Sequence, residues 1–436
     1  MKKAVIASVI ACTMTLPAMA DEALPDLLKT LRDNGTIDQQ TYERLEHKAA
    51  APVPAPSSTA MRAKTKGGLL EFESADGAFS AALGGRLEID AAAYHTHGSG
   101  NEMGNGTQIR RARLYAEGTI YRDWKYKNEI DFAGGSVSLT DVYLRYTGLP
   151  VAFTVGNFKE PFSLEQLTSD RYLTFMERAL VDVFSPGRNI GIGAAYHGAR
   201  YSAALGVFGK GFNSPNSSSH ENDEGIGVTG RLTFNPLLDK DRLVHLGIAA
   251  SHRTTGDAGE LRFQTRPETH ISDLRLVDTG TLAQVNSFSL LGLEAATVLG
   301  PFSLQGEYML SHVERDHARD PLFNGWYAEA TYALTGEARP YSAATGTFSR
   351  PHPQHPLSAG GIGEWELGVR LSSLDLNDNK AGVHGGRERN AGLALNWYPE
   401  SNLRFAANYI KVLKVDGGPH AHDEPSIFQV RAQVDF

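Results

Sequence analysis

From about residue 82 to its last residue the chain alternates apolar and polar side chains with a period of two, and its polar face is crowded with charge. In 83–94, Leu83, Leu87, Ile89, Ala91 and Ala93 share one face, and Arg86, Glu88, Asp90 and Tyr94 the other. In 109–120, Ala112, Leu114, Ala116 and Ile120 oppose Arg111, Arg113, Tyr115, Glu117 and Thr119. Across the next turn Trp124, Tyr126, Ile130 and Phe132 oppose Lys125, Lys127, Glu129 and Asp131. Successive side chains of a strand point to opposite faces, so each segment reads as a strand with one apolar and one charged side. A soluble sandwich alternates too, but not with so many charges opposite the apolar face and with aromatics recurring near strand ends, as Trp124, Tyr126, Trp365, Trp397 and Tyr409 do. The pattern calls for an all-β fold, a sixteen-stranded antiparallel transmembrane β-barrel that turns its apolar face to lipid. A water-filled interior without an apolar core is the corollary.

Sixteen strands are expected at 82–96, 108–120, 124–134, 136–148, 151–158, 188–198, 200–209, 225–235, 242–253, 286–298, 301–314, 322–335, 363–376, 387–398, 402–414 and 426–436. The connections between them mostly alternate short and long, as periplasmic turns and outer loops do. Two break the rule: 134–135 is too short for an outer loop, and 336–362 is too long for a periplasmic turn. A long loop in such a barrel usually has a job, as a constriction or an interface.

The ends of the chain support export. Lys2 and Lys3 precede an apolar stretch and the small-residue site Ala18-Met19-Ala20, the order of a cleaved leader over 1–20. Val9-Ile10-Ala11-Cys12 loosely resembles a lipoprotein box, but the later site is the better one. Cys12 is the only cysteine and leaves with the leader, so the mature chain has no thiol or disulfide chemistry. The last strand places Phe428, Val430, Ala432, Val434 and the terminal Phe436 on one face, an ending that resembles the assembly signal of outer-membrane barrels. Between leader and barrel, 21–48 reads as a short helical piece with a stripe of Leu24, Leu27, Leu28 and Leu31. Asn34-Gly35 breaks it, and a capping box at Thr36 to Gln39 starts a second helix carrying Tyr42 and Leu45. Residues 49–66 read as an Ala/Pro/Ser-rich linker, and 67–436 as the barrel.

Composition narrows function. The formal charge is −8, and −10 without Lys2 and Lys3, which argues against a nucleic-acid partner but leaves the local charge of the lumen open. No G-x-S-x-G, H-E-x-x-H or P-loop occurs, so neither an enzyme nor a cofactor is expected. The histidines are scattered, and His95 with His97 lacks a third ligand nearby, so no metal site is expected either. An energised transporter needs about twenty-two strands and a plug, more than this chain can supply.

Three ordered blocks carry a resemblance. The first is Ile109-Arg-Arg-Ala-Arg-Leu114 with Tyr121-Arg-Asp-Trp-Lys-Tyr-Lys127 and Glu129-Ile-Asp-Phe-Ala133. The second is Val155-Gly-Asn-Phe-Lys-Glu-Pro-Phe-Ser-Leu-Glu165, with Thr174-Phe-Met-Glu-Arg-Ala179 and Gly187-Arg-Asn-Ile-Gly191. The third is Leu334-Thr-Gly-Glu-Ala-Arg-Pro-Tyr341 with Trp365-Glu-Leu-Gly-Val-Arg370. From about residue 82 onward the chain resembles the phosphate-selective porins O and P. The resemblance implies a homotrimer in the bacterial outer membrane, in contact with lipid and lipopolysaccharide. It implies that the third outer loop folds inward, and that the channel passes phosphate, polyphosphate or other small anions. A general or sugar-type diffusion porin of the same architecture is the alternative.

An anion in a narrow pore must exchange hydration for fixed cations or hydrogen-bond donors, and arginine offers a planar fork to two oxygens. Strand parity puts Arg86, Arg111, Arg113, Lys125 and Lys127 on the lumen face, as it does Arg145, Arg231, Arg370, Arg404 and Arg431. Wall carboxylates such as Glu88, Asp90 and Glu129 share that face, so each arginine is either a site residue or half of a wall ion pair. Arg86, Arg111 and Arg113, on adjacent strands, are expected to ring the constriction. Arg110 has the opposite parity and is expected at the lipid-facing rim. Lys159, Ser163 and Asp141 match positions that the resemblance assigns to the phosphate site; Arg171, Arg178 and Arg188 are weaker candidates. Arg339 and Arg350 in 336–362 are expected to bring positive charge to the periplasmic mouth if that segment folds inward. The mature protein purified from outer membranes should begin at Asp21 on N-terminal sequencing; a first residue at Cys12 would establish the lipoprotein reading instead.

Overall fold

The computed structural model describes residues 29–35, 38–49, 61–66, 69–96, 103–211 and 223–436. The leader, Leu24, Leu27, Leu28, Thr36 and most of the expected linker lie outside them. Residues 1–60 and 61–436 form two separate units. In the first, residues 29–33 are helical and a helix spans Gln39–Ala49, where the Asp38 carboxylate accepts the amide of Thr41 at 2.7 Å. That is an N-cap bond, satisfying one of the first-turn amides that lack a carbonyl partner.

The second unit is a closed antiparallel sheet of sixteen strands. They are β1 (Ser80–His95), β2 (Gly106–Ile120), β3 (Trp124–Asp131), β4 (Ser138–Tyr146), β5 (Ala152–Lys159), β6 (Arg188–His197), β7 (Tyr201–Phe208) and β8 (Gly227–Leu238). They continue as β9 (Arg242–Thr254), β10 (Val285–Leu299), β11 (Phe302–Arg315), β12 (Leu322–Ala333), β13 (Glu364–Asp378), β14 (Val383–Glu400), β15 (Leu403–Asp416) and β16 (Ser426–Asp435). Each pairs with its neighbour in sequence, and β16 pairs back with β1 from Ser426↔His95 to Asp435↔Arg86. At the seam Gly85 and Phe436 exchange both backbone hydrogen bonds, at 2.7 and 3.0 Å. A Cβ on Gly85 would meet the Phe436 ring at 2.6 Å, so the terminal aromatic lies where only glycine leaves room.

The expected parity holds on most strands. Val228, Leu232 and Phe234 of β8 are exposed on the outer wall, while Thr229, Arg231 and Thr233 between them are buried inside. Near the periplasmic ends aromatics pair on the outer wall, as Trp124 with Tyr146 and as the Trp365–Trp397–Phe405 stack at 5.5 Å spacings. Both exceptional connections occur: β3 joins β4 through a short 3₁₀ turn, and β12 joins β13 through a long segment.

Three features differ from expectation. First, Met61–Lys66 at the end of the expected linker is a strand, pairing with Leu69–Ser74, which pairs in turn with the start of β1. Proline stops at Pro56, and from Arg62 on cations alternate with small residues opposite Glu71 and Glu73, with Lys64 2.7 Å from Glu73. Second, Arg110 does not face lipid. The β1–β2 register runs Glu88↔Arg111 and then Ile89↔Ile109, so Arg110 is the extra residue of a β-bulge. The bulge resets parity, and Arg110 turns inward to grip Glu177 at 2.8 and 3.0 Å. Third, the interior does contain an apolar core.

That core is built by the third outer loop, residues 160–187 (L3), which leaves β5 and crosses the lumen. Phe162, Leu180, Val181 and Phe184 of L3 pack against Met309, Val313, Phe323, Tyr327 and Leu374 on the inner wall of β11 to β13. Each such side chain contributes roughly 1.5–3 kcal/mol on full burial. Because β9 to β14 carry apolar residues inward at this depth, that half of the barrel is filled, and open space remains between L3 and β1 to β8.

The segment between β12 and β13 also turns inward. Arg231 of β8 donates to the carbonyls of Thr345 and Gly346 at 3.1 and 2.8 Å. The Tyr341 hydroxyl lies 2.7 Å from His245 Nδ1 and accepts from Asn235. Arg339 donates to Gln305, and Arg350 to Asp435 and the Ser401 carbonyl. Deleting 342–356 should raise single-channel conductance in planar bilayers, because it removes an obstruction held by the inner wall; unchanged conductance and selectivity would show that this segment does not limit the current.

Candidate functional site

Between L3 and β1 to β6 the lumen holds a cavity of about 300 Å³. Strand pleating delivers its wall residues: Arg86 from β1, Arg113 and Tyr115 from β2, Lys127 and Glu129 from β3, Asp141, Tyr143 and Arg145 from β4, and Phe158 and Lys159 from β5. Arg188 closes it from β6, and Leu167, Ser169, Asp170 and Arg171 from L3. Seven of these side chains are cationic and three are carboxylates. Toward the periplasm it meets a second cavity of about 530 Å³ lined by Lys125, Arg145, Lys159 and Arg231, with no carboxylate in its wall. Small residues of β5 to β7, among them Ala152, Gly193, Ala195, Ser202 and Ala204, keep that chamber open. Toward the outside a third cavity, of about 270 Å³, lies between L3 and the loop 255–284, lined by Arg110, Arg178, Arg266, Arg275 and His270 beside Glu177, Asp182 and Glu268. Burial, and then the nearby Arg110, push His270 down to about 4, so it is neutral at pH 7.

Of the residues expected from sequence, Arg86, Arg113, Lys127, Asp141 and Lys159 meet in the central cavity, and Lys125 lines the inner one. Arg111 and Ser163 do not line it. Arg111 is buried in ion pairs with Glu88 at 2.5 Å and Asp170 at 2.8 Å. Ser163 is buried with φ +69°, and its hydroxyl accepts the Gln166 amide at the start of the short helix Leu164–Leu167. It acts in the turn that sends L3 inward. Arg339 and Arg350 lie in the inward periplasmic segment, each engaged as described above. Arg145 and Arg188 belong to the cavity wall but were not among the leading candidates; inward parity identifies the first, while the second depends on the path of L3.

Most of the arginines are spoken for. Arg86 pairs with Asp170 and with Glu88 at 3.3 Å, Arg113 with Glu129 at 2.8 Å and Asp131 at 2.6 Å, and Arg188 with Asp141 at 2.8 and 3.0 Å. Arg431 of β16 holds Asp90 at 2.7 Å and Glu177 at 2.9 Å. The pairs made by Asp170 and Glu177 fasten L3 to the wall, because both belong to the loop and their partners to β1, β2 and β16. Farther along, Glu307 of β11 accepts the amides of Leu164 and Glu165 at 3.0 and 2.7 Å. Other basic side chains have no such partner. Among the described residues, Lys159, Arg145, Lys125 and Arg178 have no carboxylate within ion-pair distance. Lys159 and Arg178 donate to the carbonyls of Gln166 and Thr168, and Arg145 donates to Thr154 at 2.9 Å.

Residues 82–436 match the family described as phosphate-selective porin O and P. The chain belongs to that family. It is 36% identical over 371 residues to an uncharacterized protein of Caulobacter vibrioides, covering 83% of this chain and 73% of that one. It is 28% identical over 388 residues to Porin O of Pseudomonas aeruginosa, covering 80% of this chain and 86% of that one. Among solved structures it is similar to the anion-selective porin from Comamonas acidovorans, with a TM-score of 0.53 at 13% identity, covering 82% of this chain and all of that one. It is similar also to a loop-deleted OmpT of Vibrio cholerae, with a TM-score of 0.54 at 12% identity and the same coverage. Those two likenesses concern the barrel alone. Family and fold together make the chain an outer-membrane porin, a channel through the bacterial outer membrane.

The pairing of L3 sets how this porin responds to acid. Burial opposes ionisation of Asp170, but Arg111, then Arg86 and Arg113, outweigh it and hold the carboxyl well below the usual range. Glu177 is held well below its usual range too, burial being outweighed by Arg110 and Arg431. A carboxyl depressed in the folded state contributes stability above its unfolded value and loses it as pH falls through the folded one. L3 should therefore stay docked through mildly acidic conditions, with steady conductance until pH drops below the ordinary carboxylate range. Asp170→Asn, which leaves Arg86 and Arg111 without their loop partner, should cost about 3 kcal/mol of loop anchoring. It should give noisy, enlarged currents at neutral pH; quiet parental currents would show that the pair does not hold the loop.

Proposed function

We propose that this porin conducts small anions passively, with phosphate or short polyphosphate among them, and that it works as a homotrimer. The observation that carries the reading is the excess of cations along the passage, seven against three carboxylates in the central cavity and four against none in the inner one. The ion is met by the cations that wall carboxylates do not neutralise. Lys159 stands where the two chambers share a wall, with Arg145 beside it and Lys125 nearer the periplasm. Inside a narrow, partly desolvated passage a fixed charge acts on an ion more strongly than in bulk water. Three modest sites in series favour entry yet allow release, which one deep trap would not. The paired arginines Arg86 and Arg111 set the width of the passage by fixing L3, Arg113 is held within the wall by Glu129 and Asp131, and Asp141 orients Arg188. Trimeric association follows the OmpT of Vibrio cholerae, which has been solved in a trimer form, and the anion preference is in keeping with the Comamonas acidovorans porin.

One observation favours the alternative of a general or sugar-type diffusion porin: the ion-pairing of most lumen arginines, beside the rings of Tyr115, Tyr143 and Phe158 in the same cavity. Planar-bilayer recordings separate the two. In the parent, reversal potentials under a chloride gradient should be anion-selective, and added phosphate should reduce chloride current. Lys159→Glu should shift the reversal potential toward cations and weaken phosphate block about tenfold, as expected for losing roughly 1.4 kcal/mol of charge-assisted contact. Arg145→Ala should shift both in the same direction by less. Parent and variants alike in both measurements would establish the diffusion-porin reading.

A further inference from the structure

The outer wall carries a cluster of cations that the lumen does not use. On β14 and β15, near the extracellular ends, Arg387, Arg389, Lys411 and Lys414 face outward, with Asp375 and Asp416 beside them. A β-bulge opposite Arg389 and Asn390 produces the arrangement. The register passes from Arg389↔Lys414 to Asn390↔Val412, so Leu413 and Lys414 both turn outward, and Leu413 is 49% exposed. Arg389 and Lys414 are thus direct cross-strand partners of like charge. Side chains so placed lie about 5 Å apart at Cβ, and like charges there destabilise the pair unless an anion lies between them.

The protein supplies little to relieve that repulsion. Among the described residues Arg389 has no carboxylate within ion-pair distance. Lys414 leans on Asp416 at 2.7 Å in an exposed pair, and such pairs contribute little. Arg387 is committed to Asp375, and Lys411 donates to the Glu424 carbonyl at 2.8 Å.

The height of the cluster identifies what it meets. Arg389 and Trp397 share the outer face of β14, eight residues apart. Trp397 belongs to the aromatic stack at the periplasmic interface. Eight residues span about 26 Å along a strand, and a tilt of about 40° leaves about 20 Å of height, close to the apolar band of such barrels. The intervening outward residues Leu395 and Leu393 are exposed and apolar, as are Tyr409 and Leu413 across on β15. The cations therefore sit just above the hydrocarbon, where the headgroups of the outer leaflet begin.

We infer that Arg389 and Lys414 form a binding site on the outer wall for a phosphorylated lipid headgroup of the outer leaflet. The guanidinium fork takes two phosphate oxygens, the ammonium a third, and the exposed Leu413 and Tyr409 receive the upper acyl chain. A phosphate held there removes the cross-strand repulsion and adds charge-assisted contacts from both side chains, while the lumen is untouched.

The test uses the full mature protein in neutral detergent, titrated with fluorescent bisphosphorylated lipid A and with the same lipid stripped of phosphate. The parent should bind the bisphosphorylated form at least about tenfold more tightly, as one charge-assisted contact of roughly 1.4 kcal/mol requires. Arg389→Gln with Lys414→Gln should abolish that preference, and Arg389→Lys should retain part of it. Heat-modifiable mobility checks that the variants fold. Single-channel conductance and phosphate block in the double variant should equal the parent's, which keeps this result separate from any failure of the lumen reading. Equal binding of both lipids by the parent, or an undiminished preference in the double variant, would overturn the assignment. So would competition by inorganic phosphate at concentrations equal to the lipid's, which marks a free-phosphate site, and loss of the oligomer in the double variant, which marks a subunit contact.

Discussion

Hydrocarbon offers no water to a backbone amide, and each unpaired group costs several kcal/mol there. A sheet in a bilayer must therefore have no edge. In this chain the requirement is met where β16 returns to β1 and Gly85 exchanges hydrogen bonds with the terminal Phe436. Closure separates the two faces of every strand, one to lipid and one to the lumen. Only after that separation can a wall strand carry Arg86, Glu88 and Asp90 within five residues and still cross a membrane. The charges of the lumen depend on the closure of the backbone.

Within the lumen, charge has two uses. Buried arginine–carboxylate pairs give up much of their mutual attraction to desolvation, and their value is geometric. Here they fix a loop: Asp170 and Glu177 of L3 are held by arginines from β1, β2 and β16, while the apolar side chains of L3 fill the opposite half of the barrel. What remains open is a passage along β1 to β8, in whose wall cations outnumber carboxylates. A lysine such as Lys159, held by carbonyls alone, has no carboxylate of the wall to occupy it. The paired charges build the channel, and the unpaired ones face its contents.

Strand number, closure and the facing of most side chains were legible in the sequence, because a period of two is a local property and every turn between strands has a local signature. The sixteen expected segments match the observed strands to within a few residues. Parity likewise placed Arg86, Arg113, Lys125 and Lys127 toward the lumen. It failed at Arg110, since a bulge is a relation between two strands and leaves no mark in either alone. The helical piece at 39–49 was visible from the start signal before it, whereas the short strand Met61–Lys66 was hidden behind the composition of the prolines before it.

The division follows from the range of the forces involved. Alternation, turns and the aromatic ending are read within a few residues, so the amino-acid sequence by itself determined a closed membrane barrel with a charged interior. Which charges remain free is a matter of contacts between residues far apart in the chain, such as Arg86 with Asp170 and Arg431 with Glu177. The sequence shows arginines and carboxylates in similar numbers on the lumen face and cannot match them. Only the tertiary structure, by folding L3 across the lumen and burying its apolar side against β11 to β13, decided that Arg111 is an anchor and that Lys159 faces the passage.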